Sequence, residues 1–174
     1  VANLFKKDKE AYIFEQGLNH GKNLARRTSV FLEKAAKDLV LISALKSDSR
    51  QKELLDKIFQ LNKGLLSVYV SGSDVNKFTL VKKNHLDRLN IDEEELLKIL
   101  SSPELSPSLL MKKRQALLKT SLGSEENSTF ALAIYDHLNQ EIIIGHFDYS
   151  SLKNEFSESK IYQNILFDFQ GRAF

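Results

Sequence analysis

The first 46 residues carry one continuous helical pattern, and it limits the fold more than any other feature of the chain. Apolar residues stand at Leu4, Tyr12, Phe14, Leu18, Leu24, Ala25, Phe31, Leu32, Ala35, Ala36, Leu39 and Ile42, mostly three, four or seven apart. Such spacing lays them as a stripe along a helix, with Lys22, Arg26, Glu33 and Lys37 between. At about 1.5 Å per residue, a helix over residues 3–46 is about 65 Å long, more than the diameter of a small domain. Part of it is therefore expected to project. Gly17 and Gly21 weaken the helix by up to about 1 kcal/mol each relative to Ala, and their spacing also admits a second backbone. Tolerated glycines near a bend and a dimer contact are both open readings of that pair.

Ser47 and Asp48 are natural caps for a second helix with apolar positions Leu54, Leu55, Ile58, Phe59 and Leu61, ended by Gly64. The period then changes to two. Leu66, Val68 and Val70 alternate with Ser67, Tyr69 and Ser71, and Gly72-Ser73-Asp74 breaks the run, which predicts a strand and a turn. Lys77 to Lys82 reads as a weaker strand, Asn90 and Asp92 as caps of a short helix over Leu96 to Leu100, and Ser106-Pro107 as the start of a helix reaching about Lys119. Phe130 to Tyr135, a turn at His137 to Gln140, and Glu141 to Tyr149 predict a hairpin. Ser150 and Ser151 begin a short helical segment, and Tyr162 to Phe169 reads as a last strand before Gln170-Gly171. Adjacent hairpins with helices inserted between them predict an α+β fold, an antiparallel sheet covered by helices. The chain is expected to be one module, with the long helix at 1–46 and the sheet with its short helices at 47–174.

Several function classes are excluded by composition. The 174 residues include no Cys, which removes thiolate zinc sites, iron–sulfur clusters, Cys nucleophiles and disulfides together. Twenty-five Lys+Arg against 23 Asp+Glu give a net charge of +2, too small to mark a nucleic-acid partner. The densest apolar stretches, Leu39 to Leu45 and Ile142 to Ile144, fall short of the roughly 18 to 20 apolar residues that span a bilayer. The sequence opens on Val1, and no basic segment leads into an apolar one, so the chain reads as processed or excised from a longer protein, without a signal peptide.

Phosphate-binding loops, a nucleophile elbow and an H-E-x-x-H helix are all absent from the sequence. The four histidines are scattered, and only His146 has an acidic neighbour, Asp148, on the same face of a predicted strand. That pair offers two metal ligands or polar contacts to a ligand; a locally satisfied polar pair near a strand end is the plainer reading. Acidic residues Asp92 to Glu95 suit a helix start through the helix dipole. Lys112-Lys113-Arg114 lacks interleaved aromatics and reads as a solvated face. Asn127-Ser128-Thr129 matches a glycosylation sequon but reads as a polar loop before a strand. Tyr69, Tyr135 and Tyr149 place phenols on predicted strands, either packed as ordinary half-buried tyrosines or turned into a pocket.

Three stretches carry a family resemblance: the opening helix from Leu4 to Leu45, "LLDKIFQLNKGLLSVYVSGSD" from Leu54 to Asp74, and "FALAIYDHLNQEIIIGHFDYSSL" from Phe130 to Leu152. In their order they resemble the Cache family of extracytoplasmic, PAS-like sensor domains of bacterial transmembrane receptors. In that family the opening helix continues from a membrane span, and the hairpin leads into a helical step, here Ser150-Ser151-Leu152. The resemblance implies a ligand-binding input domain on the periplasmic side of an inner-membrane protein, with no catalytic role, no metal and no cofactor. It also implies a homodimer along the first helix and an unknown small-molecule ligand or periplasmic protein as partner, with no nucleic acid. The aromatic and Arg/Asp motif with which related receptors hold amino acids is not recognisable: Arg88 lies in a loop-like stretch and the chain has no Trp. The segment "YQNILFDFQG" from Tyr162 to Gly171 resembles the start of a second repeat or a closing strand, so the module is expected to continue beyond this chain. The expected pocket residues are Tyr69, Ser71, Tyr135, His146 and Asp148. An interaction or dimerisation module without a pocket is the alternative, and a small enzyme built on His146 and Asp148 is a third reading.

Overall fold

The computed structural model describes residues 2–46, 48–72, 78–99, 102–120, 129–148 and 150. Its first element, α1 (Ala2–Leu45), is an unbroken helix of 44 residues, about 66 Å long. Asp48 then accepts a hydrogen bond from the Arg50 amide (3.0 Å) and caps a 3₁₀ turn at Ser49–Gln51 that runs into α2 (Lys52–Leu61). The described strands are β1 (Leu65–Ser71), β2 (Phe78–Val81), β3 (Gln115–Thr120), β4 (Thr129–Asp136) and β5 (Glu141–Asp148). They form one sheet in the order β2-β1-β5-β4-β3, with every neighbouring pair antiparallel. The path from β2 at one edge to β3 at the other carries α3 (Lys83–Leu89), α4 (Glu93–Ile99) and α5 (Pro107–Lys113). This is the α+β arrangement expected from the sequence, a long first helix on an antiparallel sheet with helical insertions.

The two faces of the sheet have different covers. On one, Ala35, Leu39 and Ile42 of α1 and Phe59 of α2 pack with Leu65, Val68, Val70, Phe130, Leu132, Ile143 and Phe147. On the other, Leu105 and Leu110 pack with Ala116, Leu118, Ala131, Ala133, Tyr135 and Ile144, while Leu86, Leu89, Ile91 and Leu96 gather around Leu66. A register shift between Leu65 and Ser67 accounts for the split in β1. An extra residue in one strand reverses the alternation, so Leu66 leaves the side of Val68 and Val70 that the sequence pattern assigned to it.

Helix α1 runs antiparallel to β5. Leu39 lies over Gly145, and at the helix's end Lys46 Nζ pairs with Glu141 Oε2, which also accepts from Ser43 Oγ at 3.1 Å. Phe31 meets Phe130 edge-on at 6.3 Å, and Phe130 stacks on Phe147 at 5.1 Å near the opposite end of the strand. Residues before Phe31 therefore continue past the end of β5, where Tyr12, Ile13, Phe14 and Leu18 are exposed. A second tether joins α1, α2 and the end of β2: Asn62 Nδ2 donates to Asp38 (3.1 Å), and the buried Lys82 donates to the Asn62 carbonyl (2.6 Å) from above the Phe59 ring. Burial lowers the pKa of that lysine from its ordinary value.

Two expectations are corrected. The helix begun by Ser106-Pro107 stops at Lys113 instead of reaching Lys119, because Arg114 takes a left-handed conformation (φ 63°) and the next six residues pair with β4. Ala116, Leu118 and Thr120 are buried on that strand, so sheet pairing outweighs the helical preference of Gln-Ala-Leu-Leu-Lys. The stretch around Arg88, read as a loop, is α3, closed by Asn90 at φ 54°. The turn at Ser73 and Asp74, Tyr149, Ser151 and the strand expected at Tyr162 to Phe169 lie outside the described residues.

A Cβ at position 145 would stand 2.6 Å and 2.9 Å from the two Leu39 methyls and 2.9 Å from Phe147 Cε2. Gly145→Ala is therefore expected to destabilise the chain by about 1–3 kcal/mol through overpacking, and Leu39→Ala by about 2–5 kcal/mol through the cavity it opens. In the double variant the added methyl enters the space the leucine leaves, so urea denaturation should show less than the summed loss. Strict additivity would mean that the two groups do not share one site.

Candidate functional site

The sheet face turned from α1 is ordered in four cross-strand rows. Ser71, Ile142 and Tyr135 form the first; Tyr69, Ile144, Ala133 and Ala116 the second; Ser67, His146, Ala131 and Leu118 the third; Asp148, Thr129 and Thr120 the fourth. Side chains two apart along each strand share this face because the strand period is two, and successive rows lie about 7 Å apart. All five residues expected from the sequence are on it.

They do not converge on one cavity. Tyr69 and Ser71, with Ile142 and Ile144, form the floor of a cleft of about 370 Å³ roofed by Ser102, Pro103, Leu105, Ser106 and Pro107. Tyr135 shares the first row with Ser71, packs with the Leu105 and Leu110 cluster and meets the His137 ring edge-on at 4.8 Å. His146 lies one row deeper than the cleft and is only 1% exposed. Asp148 lies a further row along, half-buried, where its carboxylate accepts from the Ser150 amide (2.9 Å) and its own amide donates to the Gly64 carbonyl (2.8 Å). The grooves beside α1 are larger, about 480 Å³ and 680 Å³. In the first of them the polar groups of Asp38 and Asn62 already bond to each other.

A band of buried polar groups, unread in the sequence, completes the face. Ser67 Oγ is 2.9 Å from His146 Nδ1, and the Thr120 and Thr129 hydroxyls are 2.5 Å apart across β3 and β4. The alternation that placed Tyr69 and Ser71 on this face also places Ser67 there. Thr129, read as part of a polar loop, is instead the fully buried first residue of β4. His146 Nε2 has no hydrogen-bond partner among the described residues.

This set of groups is suited to holding a molecule by hydrogen bonds rather than to moving protons at neutral pH. Burial pushes the His146 pKa down to about 4, so its ring is neutral. Among the described residues no group of three or more His, Asp or Glu side chains could hold a metal ion. Compared with protein-family models and with curated proteins, the sequence matches none.

The same burial fixes the sign of one pH dependence. With a folded-state pKa near 4 against an ordinary 6.5, the unfolded chain takes up the proton first. This contribution to stability is complete above about pH 6.5 and is lost as the pH falls toward 4, by about 3 kcal/mol in total. Urea melts between pH 7 and 4 should show that slope in the parent chain and lose it in His146→Leu. An unchanged slope in the variant would place the titration elsewhere.

Proposed function

We propose that this chain is the extracytoplasmic sensory domain of a transmembrane signal-transduction protein, binding a small molecule on the face of Tyr69, Ser71 and His146. Occupancy is relayed through α1. The observation that carries this reading is the position of β5. Its consecutive residues Ile144, Gly145 and His146 alternate between a ligand-facing side and the contact with Leu39. A molecule that shifts Ile144 or His146 also shifts the residue on which α1 rests. A ligand favouring one position of the strand redistributes the helix between states, with a coupling typically worth about 1 to 3 kcal/mol.

Two further features support the reading. The projecting part of α1 extends past the edge of the body, as a helix that continues from a membrane span requires. No helix among the described residues is long and apolar enough to cross a membrane itself, so in this reading the anchors belong to flanking sequence. The exposed Tyr12, Phe14 and Leu18 favour homodimerisation along α1, and by the same token a second reading in which the chain is a dimerisation module without a ligand.

A thermal-shift screen with carboxylates, amines, nucleobases and sugars separates the two. A ligand at 100 times its Kd adds about 2.7 kcal/mol of stability. The sensor reading expects one chemical class to raise the Tm with concentration, and Tyr69→Ala or Ser71→Ala to weaken that response at least tenfold without loss of cooperative melting. A flat screen with a cooperatively melting protein would favour the module.

A further inference from the structure

Resting on the assignment of this face to ligand binding, we propose that His146 Nε2 is the anchor for an uncharged ligand with one hydrogen-bonding group on a compact apolar body. The ligand lies between β5 and the α3–α5 insertion. The argument begins with an unmet bond. A buried ring nitrogen without a partner costs the full desolvation of that atom, and a partner supplied from outside recovers it. Nδ1 is engaged by Ser67, which fixes the ring and leaves Nε2 as the free position. A neutral imidazole carries one donor and one acceptor nitrogen, and the Ser67 hydroxyl can take either complementary role, so the site accepts a hydroxyl, carbonyl or amide head.

The absence of net charge follows from what surrounds the ring. Besides the ring, the described polar side chains of the second to fourth rows are the hydroxyls of Ser67, Tyr69, Thr120 and Thr129 and one carboxylate, Asp148, which is engaged with Ser150. Across from them the insertion presents Leu86, Leu89, Leu96, Leu105 and Leu110, while its Arg88, Glu94, Glu95, Lys98, Lys112 and Lys113 are exposed to solvent. An ionised ligand would lose its hydration here with no opposite charge among the described residues to meet it. Apolar atoms are better served, since Ala131 and Ala133 keep the floor low and Ile144 and Leu118 border it.

Access follows from the architecture of the cover. Helices α3, α4 and α5 are seven residues each, too short to be stable alone, and they rest on the sheet through a few leucines. A small outward movement of the segment that roofs the Tyr69 cleft opens the row behind it, where His146 lies.

Four probes on one skeleton test the inference: cyclohexanol, cyclohexanone, cyclohexanecarboxylate and cyclohexylammonium. Each is titrated into the ¹⁵N-labelled chain while the His146 imidazole is followed in long-range ¹H–¹⁵N spectra, assigned by its loss in His146→Leu. The two uncharged probes should shift the Nε2 resonance saturably and the two ions should leave it in place; followed by the backbone amides of β5, binding of the uncharged probes should be at least tenfold weaker in His146→Leu. Uncharged probes that do not move it, or ions that move it equally, would overturn the inference. Should a different compound raise the Tm without touching this resonance, the inference falls and the sensor reading stands; with neither response, both fall. The ligand-free double variant Ser67→Ala/His146→Leu should melt higher than the parent, because it removes an unmet polar group, whereas a lower Tm would mark His146 as a structural residue and overturn its role as anchor.

Discussion

The seating of Leu39 on Gly145 is the contact on which the rest of this structure depends. The leucine is fully buried, and no side chain larger than a hydrogen fits beneath it without displacing it. That closeness brings a helix of 44 residues down onto a central strand, and the flanking contacts follow from it. Toward the C-terminal end of α1, Ser43 and Lys46 reach Glu141; toward its N-terminal part, Phe31 reaches Phe130 and Phe147. Three points along one line hold the helix antiparallel to β5 and leave its first part extending beyond the sheet.

The opposite face is built differently, and the contrast has a physical origin. Against α1 the sheet offers Val68, Val70, Ile143, Phe147 and Phe130, large side chains that interlock. Against the insertion it offers Ala131 and Ala133 beside Leu118, Ile144 and Tyr135, with hydroxyls and a histidine whose Nε2 has no hydrogen-bond partner among the described residues. Packing of the first kind resists movement. The second face is covered by short helices, of which α3 ends at the left-handed Asn90 and α5 ends at Arg114, where φ is also positive. One strand, β5, belongs to both, with Gly145 against Leu39 on one side and its neighbour His146 beside Ser67 on the other.

Much of this was legible in the sequence because periodicity reports burial directly. The opening stripe gave α1 and its length, the β4–β5 hairpin followed from alternation about a polar turn, and the pairing Glu141↔Asp136 closes it where expected. Periodicity failed where pairing with another strand decides the outcome. Gln115–Thr120 has good helix formers and becomes a strand only because β4 lies beside it. The register shift at Leu66 leaves no local mark. For the site, alternation placed Tyr69 with Ser71 and His146 with Asp148 on shared strand faces, but only the pairing of the strands brings these and Tyr135 to one side of the sheet and sets their rows apart, the cleft from the buried histidine. Ser67 was visible as His146's neighbour only once β1 was paired with β5. The sensory reading proposed above goes further than either pattern and draws on the position of β5 between the two faces.

The central claim is that a rigid unit of α1 and the sheet, centred on Leu39 and Gly145, carries a separately opening cover over His146. Native-state hydrogen exchange of the ligand-free chain measures both parts at once. The account predicts that amides of α1 near Leu39 and of β4 and β5 exchange only through global unfolding. Amides of α3, α4 and α5 should exchange at least tenfold faster through a local opening that depends little on denaturant. Equal protection of the insertion and of β5 would mean that the domain opens only as a whole, which would contradict both the route to His146 and the division of the sheet into a rigid and a compliant side.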